Sequence, residues 1–432
     1  MTESIEIQPL PHPVDAVVRV PGSKSITNRA LVCAALADGT TTLAGALDSD
    51  DTRIMVAALA ELGLQVQADW PAGRIEVSGC RGRLPRDKAE LYVGNSGTTV
   101  RFLTALVSLG QGRFRLDGTP RMRERPIGDL LAALKQLQVD ARSESGSGCP
   151  PVIIEARGLS GGTAHIRGDV SSQFLSGLLL AAPYAQDPLE IVIDGPLVSQ
   201  PYVRMTLEVM RSFGVAPSLS EPGRYRFEPA CYQGRQYEIE PDASAASYFW
   251  AAAAITGGSV TVSRLSTSSL QGDVRFCDCL ERMGCEVRYE QDATRVSGRP
   301  LTGIDVDMNA ISDTVQTLGV VALFAQGPTT IRGVGHIRHK ETDRISALAA
   351  ELRKLGALVE ERPDGLSIEP PDSHRAGLHG AVIDTYDDHR MAMSLALAGL
   401  RVPGVIVNDP GCTAKTYPNF FGDLAALGRT GV

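Results

Sequence analysis

Four basic side chains stand where the physics of a helix disfavours them. Lys24 follows Gly22-Ser23 at the opening of an apolar segment, and Arg29 comes one turn later. Arg101 follows Gly94-Asn95-Ser96-Gly97-Thr98, and Arg390 follows Asp387-Asp388-His389. A helix begins with unpaired N–H groups and roughly +0.5 of dipole charge, which attract anions and oppose cations. Ser, Asn and Asp at such starts are explained as N-caps worth about 1 kcal/mol each, but capping does not explain the cations. The segments that follow are apolar nearly all round, so they belong inside their domains and offer a ligand only their first turns. Cations stranded there point to bound anions that supply the missing charge. Three further openings share the pattern without the cation: Ser171-Ser172-Gln173, Asp242-Ala243-Ser244 and Asp313.

Other charged stretches fit the same chemistry. His339-Lys340-Glu341-Thr342-Asp343-Arg344 reads as the opening of an amphipathic helix. Glu341 and Arg344 at i, i+3 could form a plain surface pair, whereas Lys340 and Arg344 at i, i+4 would set like charges on one face. Arg121-Met122-Arg123-Glu124-Arg125 is a basic loop, and Pro126 is placed at the first helical position to hold Arg125 at the entrance. Lys415 in Cys412-Thr413-Ala414-Lys415 is weak evidence by itself. Nucleotide signatures are missing: Gly22-Ser23-Lys24-Ser25 lacks the spacing of a triphosphate loop, and Arg338 stands where a dinucleotide fingerprint needs its third glycine. Small, multiply negative ligands are expected.

The elements that must position these residues recur. A helix ending before a turn marker and a following strand repeats at Gly63, Gln138, Gly214, Gly284, Gly356 and Gly428, at intervals of 75, 76, 70, 72 and 72. Apolar helices ending near Gly39, Gly110, Ala185, Gly257, Gly327 and Gly399 run in step with it. Each unit reads as two helices and several strands, too little to bury its own apolar faces, so the copies must pack on one another. At 432 residues two domains are expected, with six repeats dividing as three plus three.

Composition excludes several classes. The net charge of −8 argues against a nucleic-acid binder, since a phosphate backbone rewards a basic surface. The longest apolar stretches, 174–185 and 245–255, fall short of the roughly 20 residues that span a bilayer. No membrane partner is expected, and the acidic start, without a signal-peptide core, reads as cytoplasmic. Cysteines 33, 80, 149, 231, 277, 279, 285 and 412 lack a C-x-x-C pair, which indicates neither a disulfide framework nor a zinc site.

With those residues in hand, the chain resembles the 3-phosphoshikimate 1-carboxyvinyltransferase (5-enolpyruvylshikimate-3-phosphate synthase) family. The matching segments are 21–29, 94–98, 121–128, 171–173, 199–202, 340–344, 388–391 and 415–418, in the family's order along the whole chain. The resemblance implies an α/β fold of two domains, each built from three βαβαββ-type units with buried parallel helices, an inside-out α/β barrel. It implies a discontinuous domain of residues 1–20 plus 241–432, a second of 21–240, and an active site in the interdomain cleft. The implied reaction moves the enolpyruvyl group of phosphoenolpyruvate onto the 5-hydroxyl of shikimate 3-phosphate through a tetrahedral intermediate, releasing phosphate, with no cofactor and no metal. A monomer is expected.

Carried over residue by residue, the resemblance makes Lys24, Ser25, Arg29, Ser171, Ser172, Ser199, Tyr202, Asp313, His336 and Lys340 contacts of shikimate 3-phosphate. Lys24, Asn95, Gly97, Arg125, Gln173, Glu341, Arg344, Arg390 and Lys415 correspond to the phosphoenolpyruvate site. The implied catalytic set is Lys24, Asp313, Glu341, His389 and Lys415: Asp313 takes the 5-hydroxyl proton and Glu341 serves the methylene carbon, although the proton donor among Glu341, Lys24 and Lys415 stays open. Two positions depart from the family pattern. His336 stands where an Asn is expected against the ring hydroxyls, and Phe102 stands where many members carry Pro, near where glyphosate competes with phosphoenolpyruvate. The related UDP-N-acetylglucosamine 1-carboxyvinyltransferases usually carry a reactive Cys in the loop before Arg-Pro, which residues 119–125 lack. A non-catalytic anion-binding relative and an RNA-end-processing enzyme are the remaining alternatives.

Overall fold

The turn markers owe their rhythm to backbone geometry. In the computed structural model, which describes residues 3–219, 221–371 and 377–428, Gly63, Gly214, Gly284 and Gly356 have φ of 86°, 90°, 114° and 103°. Each ends a helix in the left-handed conformation that glycine adopts without a Cβ penalty. Gln138 takes the same conformation (φ 63°) without that advantage, at a cost of about 1–2 kcal/mol.

The chain divides into two compact units, Gly22–Ile239 and Met1–Pro21 with Glu240–Val432. The first contains α1 (Lys24–Leu36), α2 (Asp50–Glu61), α3 (Gly97–Val107), α4 (Gly128–Gln136), α5 (Ser172–Ala181) and α6 (Gln200–Ser212). Helix α1 is buried from Ile26 to Leu36 and α3 along its whole length, and only Gln173 of α5 is not buried. Apolar on every side, these three form the centre, while α2, α4 and α6 keep one polar face outward. Side-chain caps on Ser23, Ser96 and Ser171 accept from the backbone N–H of Ile26, Thr99 and Gln173.

The sheets of this unit share one pairing rule. Lys88–Tyr92 runs parallel to Gln111–Asp117, which pairs antiparallel with Val152–Arg157, itself antiparallel to Asp140–Ser143. Gly162–Arg167, Leu189–Asp194, Arg224–Phe227 and Ser218–Leu219 repeat it. In the third copy Thr40–Ala44, Arg74–Ser78 and Gln65–Asp69 keep their places, but the parallel strand is Gln236–Glu238.

The second unit contains α7 (Ala243–Thr256), α8 (Phe276–Arg282), α9 (Val315–Ala322), α10 (Arg344–Lys354), α11 (His389–Ala396) and α12 (Phe420–Ala426). Helices α7, α9 and α11 are its buried set. The parallel partner of Ser259–Ser263 is Asp15–Val18, which precedes α1 in sequence. One opening strand is therefore exchanged in each direction: Asp15–Val18 serves the sheet after α7, and Gln236–Glu238 serves the sheet after α1. Asp305–Asp307, Thr329–Arg332, Gly365–Glu369 and Leu358–Arg362 follow the common rule. In the last repeat Val382–Ile383 runs parallel to Val405–Asn408, and Ser4–Ile7 supplies the antiparallel neighbour.

The core of this unit is aromatic around Phe420, which Tyr248, Phe249 and Tyr417 meet edgewise. Fully buried Trp250 donates its indole N–H to the Thr294 carbonyl at 3.1 Å, and its truncation to Ala would cost about 3–5 kcal/mol. No described helix is long and apolar enough to cross a membrane.

Candidate functional site

In the Gly22–Ile239 unit, buried arginines tie the helices together: Arg29 of α1 reaches α5 and α6, and Arg101 of α3 reaches Gln173 of α5. Arg29 is buried; its Nε donates to Thr206 Oγ1 at 2.7 Å, and its Nη atoms donate to the Ser25 and Tyr202 carbonyls at 2.9 and 3.2 Å. Phe102 lies beneath the guanidinium, 5.2 Å from it. Burial pulls the Arg29 guanidinium down to about 10, with the Tyr202 phenol and the Cys33 thiol acting the other way. Neutral oxygens surround the positive charge and do not cancel it. Arg29 thereby fixes the backbone of two segments expected at shikimate 3-phosphate, around Ser25 and Tyr202. Ser199, at the entrance of α6, is left-handed (φ 51°), a strain of order 1–3 kcal/mol of the kind that gathers at ligand sites.

Asn95, Gly97, Arg125 and Gln173 meet around Arg101. Arg101 donates to the Gly97 carbonyl at 3.0 Å, Gln173 Oε1 at 3.1 Å and the Pro126 carbonyl at 3.0 Å. Arg125 donates to the carbonyl and side-chain oxygen of Asn95 at 2.8 and 3.0 Å. A Cβ on Gly97 would come within 2.5 Å of both Arg101 Nη1 and Arg125 Nη2. Any side chain here would have to push the two guanidinium ends aside. Ser171 caps α5 and Ser172 occupies its buried first turn. Lys24 Nζ lies 3.3 Å from Asp51, a buried carboxylate in the first turn of α2.

The second unit assembles its cations on carboxylates. Arg344, buried at the start of α10, grips Asp388 with Nε and Nη2 at 2.7 and 3.1 Å. Its Nη2 also reaches Glu341 at 2.9 Å, and its Nη1 reaches Asp313 at 3.4 Å. These carboxylates push the guanidinium pKa up against the opposing effect of burial. Asp313 further accepts from Arg390 Nη2 at 2.8 Å and lies 3.7 Å from Lys340 Nζ. The structure thus gathers Asp313, Lys340, Glu341, Arg344 and Arg390. The buried His389 ring lies 3.7 Å from Asp388 Oδ1. Lys415, which ends the turn Pro410–Lys415, acts on Asp387, whose carboxyl burial holds above its ordinary value.

Comparison with known proteins decides the family. The family model described as EPSP synthase (3-phosphoshikimate 1-carboxyvinyltransferase) matches residues 10–424. The chain belongs to this family. The 3-phosphoshikimate 1-carboxyvinyltransferase of Trichormus variabilis is 49% identical over 421 residues, covering 97% of this chain and 98% of that one. The chloroplastic protein of that name from Arabidopsis thaliana is 47% identical, with 96% and 83% covered. Among solved structures, EPSP synthase from Acinetobacter baumannii aligns with a TM-score of 0.83 at 25% identity, over 99% of this chain and 98% of that one. The enolpyruvyl transferase NikO from Streptomyces tendae shares the fold, with a TM-score of 0.75 at 22% identity over 99% and 98% of the two chains. The two-domain enolpyruvyl-transferase fold expected from sequence is the fold observed.

Against the family pattern, His336 sits in the short turn Gly335–His339, where burial, then Lys340, lowers its imidazole to about 4. It is neutral at pH 7 and can still donate one hydrogen bond. Phe102 is buried against Arg29, where a proline could not stack.

Two local expectations need correction. Helix α10 begins at Arg344, because Asp343 caps it by accepting from the N–H groups of Ile345 and Ser346. Lys340 and Glu341 therefore precede the helix, and the Glu341–Arg344 pair is buried rather than on the surface. Pro126 is likewise not the first helical residue, since α4 starts at Gly128 after Ile127. Sequence reasoning missed Asp51, Asp388 as the partner of Arg344, and Asp273. The last is buried beside the Ser244 hydroxyl, and burial followed by Asp313 raises its carboxyl to about 7. An acidic residue in the first turn of α2 looked like ordinary helix chemistry, and nothing local marks Asp273.

Proposed function

We infer that this member of the family transfers the enolpyruvyl group of phosphoenolpyruvate to the 5-hydroxyl of shikimate 3-phosphate, giving 5-enolpyruvylshikimate 3-phosphate and phosphate. The observation that carries the reading is the match of the family model from residue 10 to residue 424, which takes in all the expected site residues. The reaction belongs to the shikimate pathway, toward chorismate and the aromatic amino acids.

Lys24, Ser25, Arg29, Ser171, Ser172, Ser199 and Tyr202 hold shikimate 3-phosphate, with Asp313, His336 and Lys340 at its ring. Lys24, Asn95, Gly97, Arg125, Gln173, Glu341, Arg344, Arg390 and Lys415 hold phosphoenolpyruvate, and both sets act on the same pair of substrates. Asp313 accepts the 5-hydroxyl proton as oxygen attacks the enol carbon; Glu341 delivers a proton to the methylene carbon and later recovers one from the methyl group as phosphate leaves. Lys24, His389 and Lys415 complete the catalytic set. Positioned proton carriers typically contribute 10²–10⁴-fold, and fixed cations facing the developing charge contribute more. Arg29 supports this reading: a charge ringed by neutral oxygens keeps its field for an anion.

The proposal takes the enzyme as a monomer working in the cytoplasm, where its two small water-soluble substrates would be met. The test is phosphate release from phosphoenolpyruvate with shikimate 3-phosphate as acceptor, with UDP-N-acetylglucosamine as control. Release with the first acceptor alone is expected; release with the control alone overturns the reading.

A further inference from the structure

Among the fully buried carboxylates, Glu351 belongs to no set above, yet its bonds run toward the Asp387–Arg390 segment. It lies on α10 seven residues after Arg344, on the same face of the helix. Its Oε1 accepts from the Tyr386 hydroxyl at 2.7 Å and its Oε2 from the Asp384 N–H at 3.1 Å. Lys354 Nζ, 2.8 Å from Oε2, balances the charge and also reaches Asp384 at 2.7 Å. A buried ionised carboxylate is tolerable only when its lone pairs and charge are answered in this way.

The segment it holds is strained. Tyr386 and Asp387 are consecutive left-handed residues, with φ of 56° and 53°, and neither is glycine. Such backbone persists only where the surroundings over-determine it. Immediately afterwards Asp388 caps α11 through the Arg390 N–H at 2.9 Å, and Arg390 aims its guanidinium at Asp313. Helix α10 therefore clamps the segment twice: Arg344 holds Asp388, and Glu351 holds Asp384 and Tyr386. Tyr386 is 41% exposed, and its hydroxyl reaches the buried carboxylate as a strap.

We propose that Glu351, through Tyr386, is a positioning residue that sets the direction of Asp387, Asp388 and Arg390. It belongs to neither proposed substrate set. The assignment rests on the enolpyruvyl-transfer reading for its effect on turnover, and on geometry alone for its effect on the segment.

The full-length chain and its Tyr386→Phe and Glu351→Gln variants are compared in three measurements: kcat and KM for each substrate, urea unfolding, and hydrogen exchange over 384–391. In Tyr386→Phe the expected result is at least a tenfold loss in kcat/KM for phosphoenolpyruvate, with KM for shikimate 3-phosphate within twofold. Exchange over 384–391 should accelerate at least tenfold, with α10 unchanged. Unchanged exchange in that segment overturns the proposal whatever the turnover. A lower unfolding midpoint with unaltered kinetic constants also overturns it, because that is the result of a purely structural tie. If Glu351→Gln fails to fold, Tyr386→Phe decides. A wild-type chain inactive toward both substrates would refute the enolpyruvyl reading, and the exchange measurement would still judge the clamp.

Discussion

Buried Arg29 in one unit and buried Arg344 in the other are held in opposite ways. In Gly22–Ile239, Arg29 rests on a hydroxyl and backbone carbonyls. In the other unit Arg344 and Arg390 rest on Asp313, Glu341 and Asp388. Neutral oxygens orient a cation and leave its charge available to a ligand. Carboxylates neutralise the cation and, in return, are themselves fixed in place. On the proposed roles, the contrast predicts a division of labour in which Arg29 supplies charge to an anion while Arg344 holds Asp313 and Glu341 in place as base and acid.

The largest expected effect comes from removing a carboxylate. Asp388→Ala leaves the Arg344 charge buried without its bidentate partner and should cost about 3–5 kcal/mol in urea unfolding. Thr206→Val removes one neutral acceptor from Arg29 and should cost about 1.5–3 kcal/mol. Equal losses would erase the distinction between the units.

Gly97→Ala sharpens the same comparison from the side of function. Its Cβ must displace Arg101 and Arg125, and a misplacement near 1 Å can cost about 10²-fold in turnover. Helix content by circular dichroism should not change. Wild-type kinetics in this variant would mean that the two guanidinium groups yield without consequence.

A further effect is a pH dependence. The Asp273 carboxyl has a pKa of about 7 when folded against an ordinary 3.8, so the folded chain holds a proton that the unfolded chain releases. Its contribution to stability therefore falls as pH rises from about 4 to 7. Asp273→Asn should match wild type near pH 4 and become relatively more stable above pH 7, read as unfolding midpoints at several pH values. A difference independent of pH would contradict the buried, protonated carboxyl.

Local signals were legible in the sequence. Caps such as Ser23, Ser96, Asp242 and Asp388 and the left-handed markers act within a few residues, and the 72-residue rhythm they punctuate exposes the repeats. Long-range pairing was not. No local pattern tells Asp15–Val18 to join the sheet after α7 rather than the one after α1. Lys24 finds Asp51, and Arg344 finds Asp388, across distances in the chain that periodicity does not encode. The start of α10 was misjudged because Asp343 outcompetes a longer helix by capping it. The cations at the helix mouths stand out in the sequence, but part of their compensation comes from the protein itself, as Arg390 on Asp313 shows.

The division of labour is tested most directly by Glu341→Gln, measured for shikimate 3-phosphate affinity and for phosphate release in the same preparation. Affinity within threefold of wild type, with release lowered by about 10²–10⁴-fold, is the predicted result. Normal release together with a collapse of shikimate 3-phosphate binding would contradict it.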